Sequence, residues 1–415
     1  MRIISQYKKL EKHIFSLIFA ELFIQMINSA FLLIMLVFMQ KEGYSDHQSA
    51  DFISYRFLGT LLLAFPMGLF IKGRKIKPVF IFASLSIPIF SLLIVYGIHY
   101  HVSWLLYVSQ VLWGIGFLCF QITALPFILR NAKQDTHTEA ISLSFATYSF
   151  GGISSGVLIF LLSTLNPVFF DEMLILQIIA GLGFISIFFI MRIDIEENIT
   201  EEPLNLKKLN LGDFDWKIIA KAMFPVFVIA TGAGLTIPFI GIFFFNVHGV
   251  DSHEFAIYGS ISAVLVAIGA LLVPQIKARF GYMLAVPATQ TVAVLALVVL
   301  ATTELFAAWA LAVPIAILCY VIRQPLMNMA GPMTSEVMMN YVGPKNREIT
   351  SALTSTIWSG SWYISSRIFK ILRENGIAYV KVFMITAVLY GLGIFLYYLV
   401  MLDYEKRLKS GLIKI

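Results

Sequence analysis

Charged residues make up only 13% of this 415-residue chain, where a soluble domain carries roughly 25%. A surface so poor in charge cannot be solvated over its whole area, which excludes an ordinary soluble fold and makes lipid the solvent. Cysteine is nearly absent too. Cys119 and Cys319 both fall inside apolar runs, so a disulfide framework is excluded by number and setting. No Gly-x-x-x-x-Gly-Lys-Ser/Thr loop occurs, which argues against nucleotide-driven pumping by this chain. His13, His47, His137, His248 and His253 stand at helix ends or in loops, and His99 and His101 flank Tyr100 without a third ligand. Neither a metal site, a cofactor nor a histidine relay is therefore expected. Nor is there the polar–apolar alternation of a membrane barrel, since Phe31 to Phe38 and Val292 to Leu300 are unbroken apolar runs.

Apolar residues dominate instead, at 59% of the chain and a mean hydropathy of +0.84. Crossing the ~30 Å hydrocarbon layer takes about 20 helical residues. Runs of that length predict an all-α membrane protein of twelve transmembrane helices. In the first half they lie at roughly 14–39, 49–71, 78–98, 103–129, 139–164 and 172–192. The second half places them at roughly 217–246, 254–275, 282–302, 305–330, 348–371 and 377–402. The first run is too long for the core of a cleavable signal and leads straight into the membrane domain, so no signal peptide is expected.

The net charge of +6 is explained by the side of the membrane on which the bases collect rather than by a nucleic acid. Arg2, Lys8, Lys9 and Lys12 precede the first helix, and Lys72, Arg74, Lys75 and Lys77 follow the second. Further bases on that side are Arg130, Lys133, Arg192, Lys207, Lys208, Lys217, Lys221, Lys277, Arg279, Lys345, Arg347, Lys406, Arg407, Lys409 and Lys414. By the positive-inside rule both termini and the central loop face the cytoplasm. The expected location is a bacterial inner (cytoplasmic) membrane, multi-pass.

Three correspondences displaced by roughly 200 residues point to an internal duplication. Gly43 and His47 match Gly249 and His253 between helices 1–2 and 7–8. In helices 4 and 10, the segment from Cys119 to Phe127 matches that from Leu318 to Leu326, and in helices 5 and 11 Phe150 and Gly152 match Trp358 and Gly360. The halves are read as pseudo-symmetric six-helix bundles at residues 1–193 and 217–415. Between them, 194–216 is a polar cytoplasmic linker with Glu196, Glu197, Glu201, Glu202 and the Lys207–Lys208 pair.

Six plus six helices, both termini inside and a basic turn after helix 2 resemble the major facilitator superfamily over almost the whole chain. The motif of that family after helix 2, Gly-x-x-x-Asp-Arg-x-Gly-Arg-Arg, is present in degraded form as Gly68-Leu-Phe-Ile-Lys72-Gly73-Arg74-Lys75-Ile76-Lys77. Lys72 stands at the acidic position. A looser counterpart runs from Gly269 through Lys277, Arg279 and Gly281. The arginine that drug–proton antiporters carry in helix 4 aligns with Gln110, and their helix 5 Gly-Pro pair is replaced by Gly151-Gly152-Ile153-Ser154-Ser155-Gly156. The resemblance implies that Gly68, Lys72, Arg74, Lys277 and Arg279 belong to conformational motifs. It also implies that helices 1, 4, 7 and 10 line a central cavity.

Of the 24 acidic residues, Glu21 is the one well inside a predicted helix, whereas Asp51, Glu139 and Glu336 stand at helix ends. A lone carboxyl in hydrocarbon costs about 2.5–3.5 kcal/mol, so it should face a cavity or a partner. Two readings stand: proton coupling or gating, and a carboxyl that snorkels or pairs permanently with a base. Gln25 and Asn28 extend the same helix face, either along a substrate path or as interhelical hydrogen bonds. Arg323, followed by Gln324 and Asn328, is the second signal, expected in the cytoplasmic half of helix 10 at a depth matching Glu21. There it would pair with Glu21 when the cytoplasmic side is closed, or cap carbonyls near Pro325. Arg56 belongs to an outer gate or snorkels, and for Arg367 snorkelling is expected. Gln121, Tyr148, Trp358 and Trp362 supply polar and aromatic surface suited to an amphipathic solute, or simply packing. In helix 7, Thr231-Gly232-Ala233-Gly234 followed by Pro238 is either a broken stretch or a site of close packing.

These residues predict a secondary active transporter, not an enzyme, moving a small, amphipathic organic solute by alternating access with protons as the coupling ion, as a monomer in the bilayer. Facilitated or exchange transport of an organic anion, with Arg323 as its charge ligand, is the alternative. A non-transporting sensor or scaffold of the same fold is the third reading.

Overall fold

The computed structural model describes residues 10–71, 73–133, 136–197, 199, 212, 214–343 and 346–410, and twelve helices account for nearly all of these. Lys72 and most of the predicted linker, including Lys207 and Lys208, lie outside the described residues. In the first half α1 is Lys12–Lys41, α2 Asp46–Phe70, α3 Lys77–His99, α4 Ser103–Asn131 and α5 His137–Leu165. Next, α6 runs Glu172–Gly183 and resumes after a turn at Phe184 as Ile185–Met191. In the second half α7 runs Trp216–Thr236, passes through a 3-10 turn at Ile237–Phe239 and continues as Ile240–His248. The helical run Ser252–Thr302 bends at Gly281, which divides it into α8 (252–280) and α9 (282–302). Last come α10 Ala312–Val342, α11 Arg347–Glu374 and α12 Tyr379–Lys409. No strand occurs among the described residues.

Ten of these stretches are long and apolar enough to cross a membrane. Among the described residues, α2 and α11 are the two outside that set; α11 carries Arg367, Lys370 and Arg373. A larger departure from expectation concerns α10. It begins at Ala312 rather than near 305, because Thr303–Phe306 forms a 3-10 turn, and it continues to Val342. The helix passes the expected end near 330 without a break, and Pro332 lies within it. Arg323 is the twelfth of the 31 residues of α10.

Glycine sets the turns in repeating places. Gly43 after α1 (φ 86°) and Gly249 after α7 (φ 65°) are both left-handed, as are Gly73 between α2 and α3 (φ 68°) and Gly281 between α8 and α9 (φ 66°). A side chain at such φ is strained, so the same chemistry ends corresponding helices in both halves.

Contacts divide the chain into two compact units: 1–45, 55–208 and 251–260 in the first, 46–54, 209–250 and 261–415 in the second. In the first unit α1 packs along α5 and α6, and α3 along α4 and α6. Small residues allow the approach: a Cβ on Gly151 would meet the backbone of Gln25, and one on Gly114 would meet the carbonyl of Arg56. With no water to expel from between helices in lipid, such close van der Waals contact is what holds them together. In the second unit α7 packs between α11 and α12, with Gly234 against Ser365 and Gly393 against Ile229. Both readings of the helix 7 glycines therefore find a place, in that Gly232 and Gly234 are packing positions while the helix is interrupted at Pro238. Phe239 in the interruption stacks on Phe369 at 3.7 Å between ring centres.

Candidate functional site

In the first unit, Glu21 lies ten residues into α1 and is 8% exposed. The α1–α5 contact brings Ser144 to it, and the Ser144 hydroxyl donates to Glu21 Oε2 at 2.6 Å. A hydroxyl both donates and accepts, so this pair persists whether the carboxyl is ionised or protonated. Further along the same face Gln25 is buried and Asn28 half-buried, with Asn28 Nδ2 3.5 Å from Gln25 Oε1. On α4 Gln121 is exposed, as is Tyr148 on α5.

The Arg56 side chain is buried rather than snorkelling to solvent, and among the described residues no acid pairs with it. It is 6% exposed, about 15 Å along α2 at 1.5 Å per residue. Nε donates to Gln110 Oε1 at 2.9 Å, and the guanidinium lies 4.0 Å from the Trp113 ring centre. Met35 Sδ is 3.6 Å from a terminal nitrogen. Gln110 thus serves as acceptor to an arginine on the neighbouring helix. Trp113 is held in turn by Ser91, whose hydroxyl accepts from Nε1 at 2.8 Å.

In the second unit, Arg323 is 1% exposed. One terminal nitrogen donates to the Tyr390 hydroxyl at 3.2 Å and the other to Gln324 Oε1 at 3.4 Å. Its Nε has no hydrogen-bond partner among the described residues, and no carbonyl near Pro325 is among its partners. Asn328 is exposed and turns back on its own helix, donating to the Gln324 carbonyl at 2.8 Å. On α11 the rings of Trp358 and Trp362 lie 6.4 Å apart, with Trp358 38% exposed.

Ion pairs missed in the sequence gather near the glycine turns. Arg367 does not snorkel: it is bonded to Asp51, and Lys370 Nζ is 3.2 Å from the same carboxylate. Asp46 accepts from Arg373 Nε at 2.8 Å, from Asn246 at 2.9 Å and from the Tyr379 hydroxyl, while the Arg373 guanidinium lies over the Tyr379 ring at 3.9 Å. The readable signal was the three-residue spacing of Arg367, Lys370 and Arg373, which lines one helix face. Asp46 is 10% exposed, so its removal takes the charge partner from Arg373 and the acceptor from the buried Tyr379 hydroxyl, leaving them the Ile377 carbonyl and Asn246. Asp46→Ala is expected to cost on the order of 3 kcal/mol and to lower the unfolding midpoint of the purified protein more than Arg367→Ala does. Equal midpoints for the two variants would contradict this.

In the first unit Lys41 joins Glu172 at 2.6 Å and Asp251 at 2.7 Å. Burial works to raise the proton affinity of Asp251, but the bonds from Lys41 and the Ser252 N–H outweigh it and hold the carboxyl below its usual range.

At the motif turns, the Arg74 guanidinium covers the Phe70 ring at 4.3 Å, and Gly68 has open space around it. Arg130 at the end of α4 donates to the Arg74 and Ile71 carbonyls at 3.0 and 3.2 Å. Glu197 caps α3 by accepting from the Ile76 and Lys77 N–H groups at 2.7 to 2.9 Å, which gives the start of the linker a structural task. In the second unit Lys277 pairs with Glu336 at 2.6 Å, and Arg279 lies over Phe280 at 5.3 Å.

Solved structures of the same fold include a POT family transporter in complex with a thioalcohol-conjugated peptide (12% identity, TM-score 0.71, 95% of this chain and 96% of that one). A D-xylose–proton symporter matches at 11% identity and TM-score 0.72, over 93% and 97% of the two chains. A bacterial homologue of the human lysosomal transporter Spinster, inward-facing and unoccupied, matches at 15% and 0.69, over 95% and 97%. No curated protein matches the sequence. The family profile of the Major Facilitator Superfamily matches residues 17–366, and with twelve helices in the corresponding fold the chain belongs to that superfamily of multi-pass membrane transporters.

Proposed function

We propose that the chain is a secondary active transporter that moves a small organic solute by alternating access and couples its movement to protons through Glu21. The observation that carries this reading is the partner of Glu21. A carboxyl locked to a base stays ionised, but one bonded to the Ser144 hydroxyl can take up and release a proton without losing its hydrogen bond. Burial favours the neutral form of a carboxyl and access to water favours the ionised one. A change of access therefore changes proton affinity. The exposed Trp358 and Tyr148 rings and the polar Gln121, Gln324 and Asn328 suit an amphipathic solute.

The proposed setting is a bacterial inner membrane, with both termini cytoplasmic and the protein monomeric. Cysteines introduced near Lys75 and Lys207 should be labelled only from the cytoplasm, and one near His101 only from outside. Labelling of all three from one side would contradict the topology. Uptake of labelled organic solutes by the purified protein in proteoliposomes, with and without a pH gradient, tests the function itself. Gradient-dependent accumulation is expected, whereas equilibration that ignores the gradient would leave only facilitated transport.

A further inference from the structure

Among the described residues two arginines are buried within helices, Arg56 and Arg323, and neither is neutralised by an acid. Among the described residues no carboxylate pairs with Arg56 or with Arg323; their partners are Gln110, Met35 and the Trp113 face for the first, and Tyr390 and Gln324 for the second. Three other helical arginines, by contrast, pair with acids: Arg367 with Asp51, Arg373 with Asp46 and Arg407 with Asp403. Arginine keeps its charge in any protein setting, and a charge at membrane depth is costly enough to mark a function.

The two differ in how far their donors are used. Arg56 has its Nε bonded to an amide oxygen at 2.9 Å and its π-face covered by Trp113. Arg323 has a free Nε–H, a stretched bond of 3.4 Å to Gln324 and a neutral phenol as its other acceptor. A guanidinium presents a planar fork that fits carboxylate and phosphate oxygens, and here that fork is the underused group. Elsewhere in the same unit, on α11, Trp358 and Trp362 form an aromatic pair.

We infer that the solute is an organic anion, an apolar or aromatic body with a carboxylate or phosphate group, and that Arg323 is its charge ligand. This rests on the transport reading above and gives its substrate a chemical class. Arg323 is 1% exposed, so the anion reaches it only as Gln324 and Tyr390 give way. The long Gln324 contact is the weaker of the two barriers. The Tyr390 hydroxyl can then turn its proton toward the bound oxyanion, because a phenol donates as readily as it accepts.

Binding can be tested apart from transport. Thermal unfolding of the detergent-purified protein is measured with benzoate against benzamide, hexanoate against hexanamide, phenyl phosphate against phenol, and tyramine as a cation. The anion of at least one pair should raise the unfolding midpoint while its neutral twin and tyramine do not, and the pair that responds distinguishes carboxylate from phosphate. Arg323→Gln should weaken that anion by about 30-fold or more, the loss expected when one partner of a buried charge pair is truncated. Arg323→Lys, which keeps the charge without the fork, should retain the preference for anion over neutral twin at reduced affinity, and it carries the test if the glutamine variant does not fold. The inference is overturned if no anion shifts the parent protein beyond its neutral twin, if Arg323→Gln binds the anion as the parent does, or if Arg323→Lys binds it with parental affinity. None of these outcomes depends on a proton gradient, so failure here leaves the coupling role of Glu21 standing, and failure of coupling leaves this result readable.

Discussion

Glu21→Gln is expected to abolish accumulation of solute against a gradient while solute exchange across the membrane continues. Amide replaces carboxyl at nearly constant shape, so the α1–α5 packing is preserved and Ser144 keeps a hydrogen-bond partner at the position where it now meets Oε2 at 2.6 Å. What is lost is the ability to release a proton. The residue is frozen in the equivalent of its neutral form, and a carrier that cannot unload protons on one side cannot draw on the gradient. Uptake driven by an imposed pH gradient should fall to the level of passive equilibration, and counterflow should persist. A purely structural Glu21 gives the opposite pattern: the variant would be poorly folded or less stable, but the folded fraction would still accumulate solute.

Arg323→Ala should reduce transport by about 100-fold, the scale of loss when one side of a buried charge interaction is removed, with expression near the parent level. Its neighbours explain the tolerance of the fold. Tyr390 and Gln324 are neutral and can turn to other partners, so no buried charge is left behind. Asp46 and Asp51 present the contrary case, since they leave bases behind when removed. Transport by the alanine variant at more than a few tenths of the parental rate would remove Arg323 from the solute path. Rate and folding are measured separately, by initial uptake per folded protein and by the unfolding midpoint.

Helix number and order were readable because each apolar run is long and each break is polar or carries glycine. Gly43 and Gly249 were visible as a repeat, and their shared left-handed φ explains why the residue type recurs. The ends of α10 were not readable. Hydropathy measures where the lipid ends, whereas this helix continues beyond its apolar part through Gly331 and Pro332. Glu21 and Arg323 stood out because a charge in an apolar run needs no structure to be seen. Their immediate partners did not, since Ser144 and Tyr390 are ordinary residues that only helix packing brings near. The misreading of Arg367 has the same origin. Snorkelling is a single-helix argument, and Asp51 comes from a helix more than 300 positions earlier in the chain.

Proton movement itself tests the central claim most directly. Proteoliposomes are loaded with a pH-sensitive dye and given an inward gradient of the solute that stabilises the protein, with no initial pH difference. The parent protein should change the pH of the lumen as solute enters, and Glu21→Gln should not. Solute entry by the parent protein with no change in lumenal pH, or an equal change with the glutamine variant, would contradict coupling through Glu21.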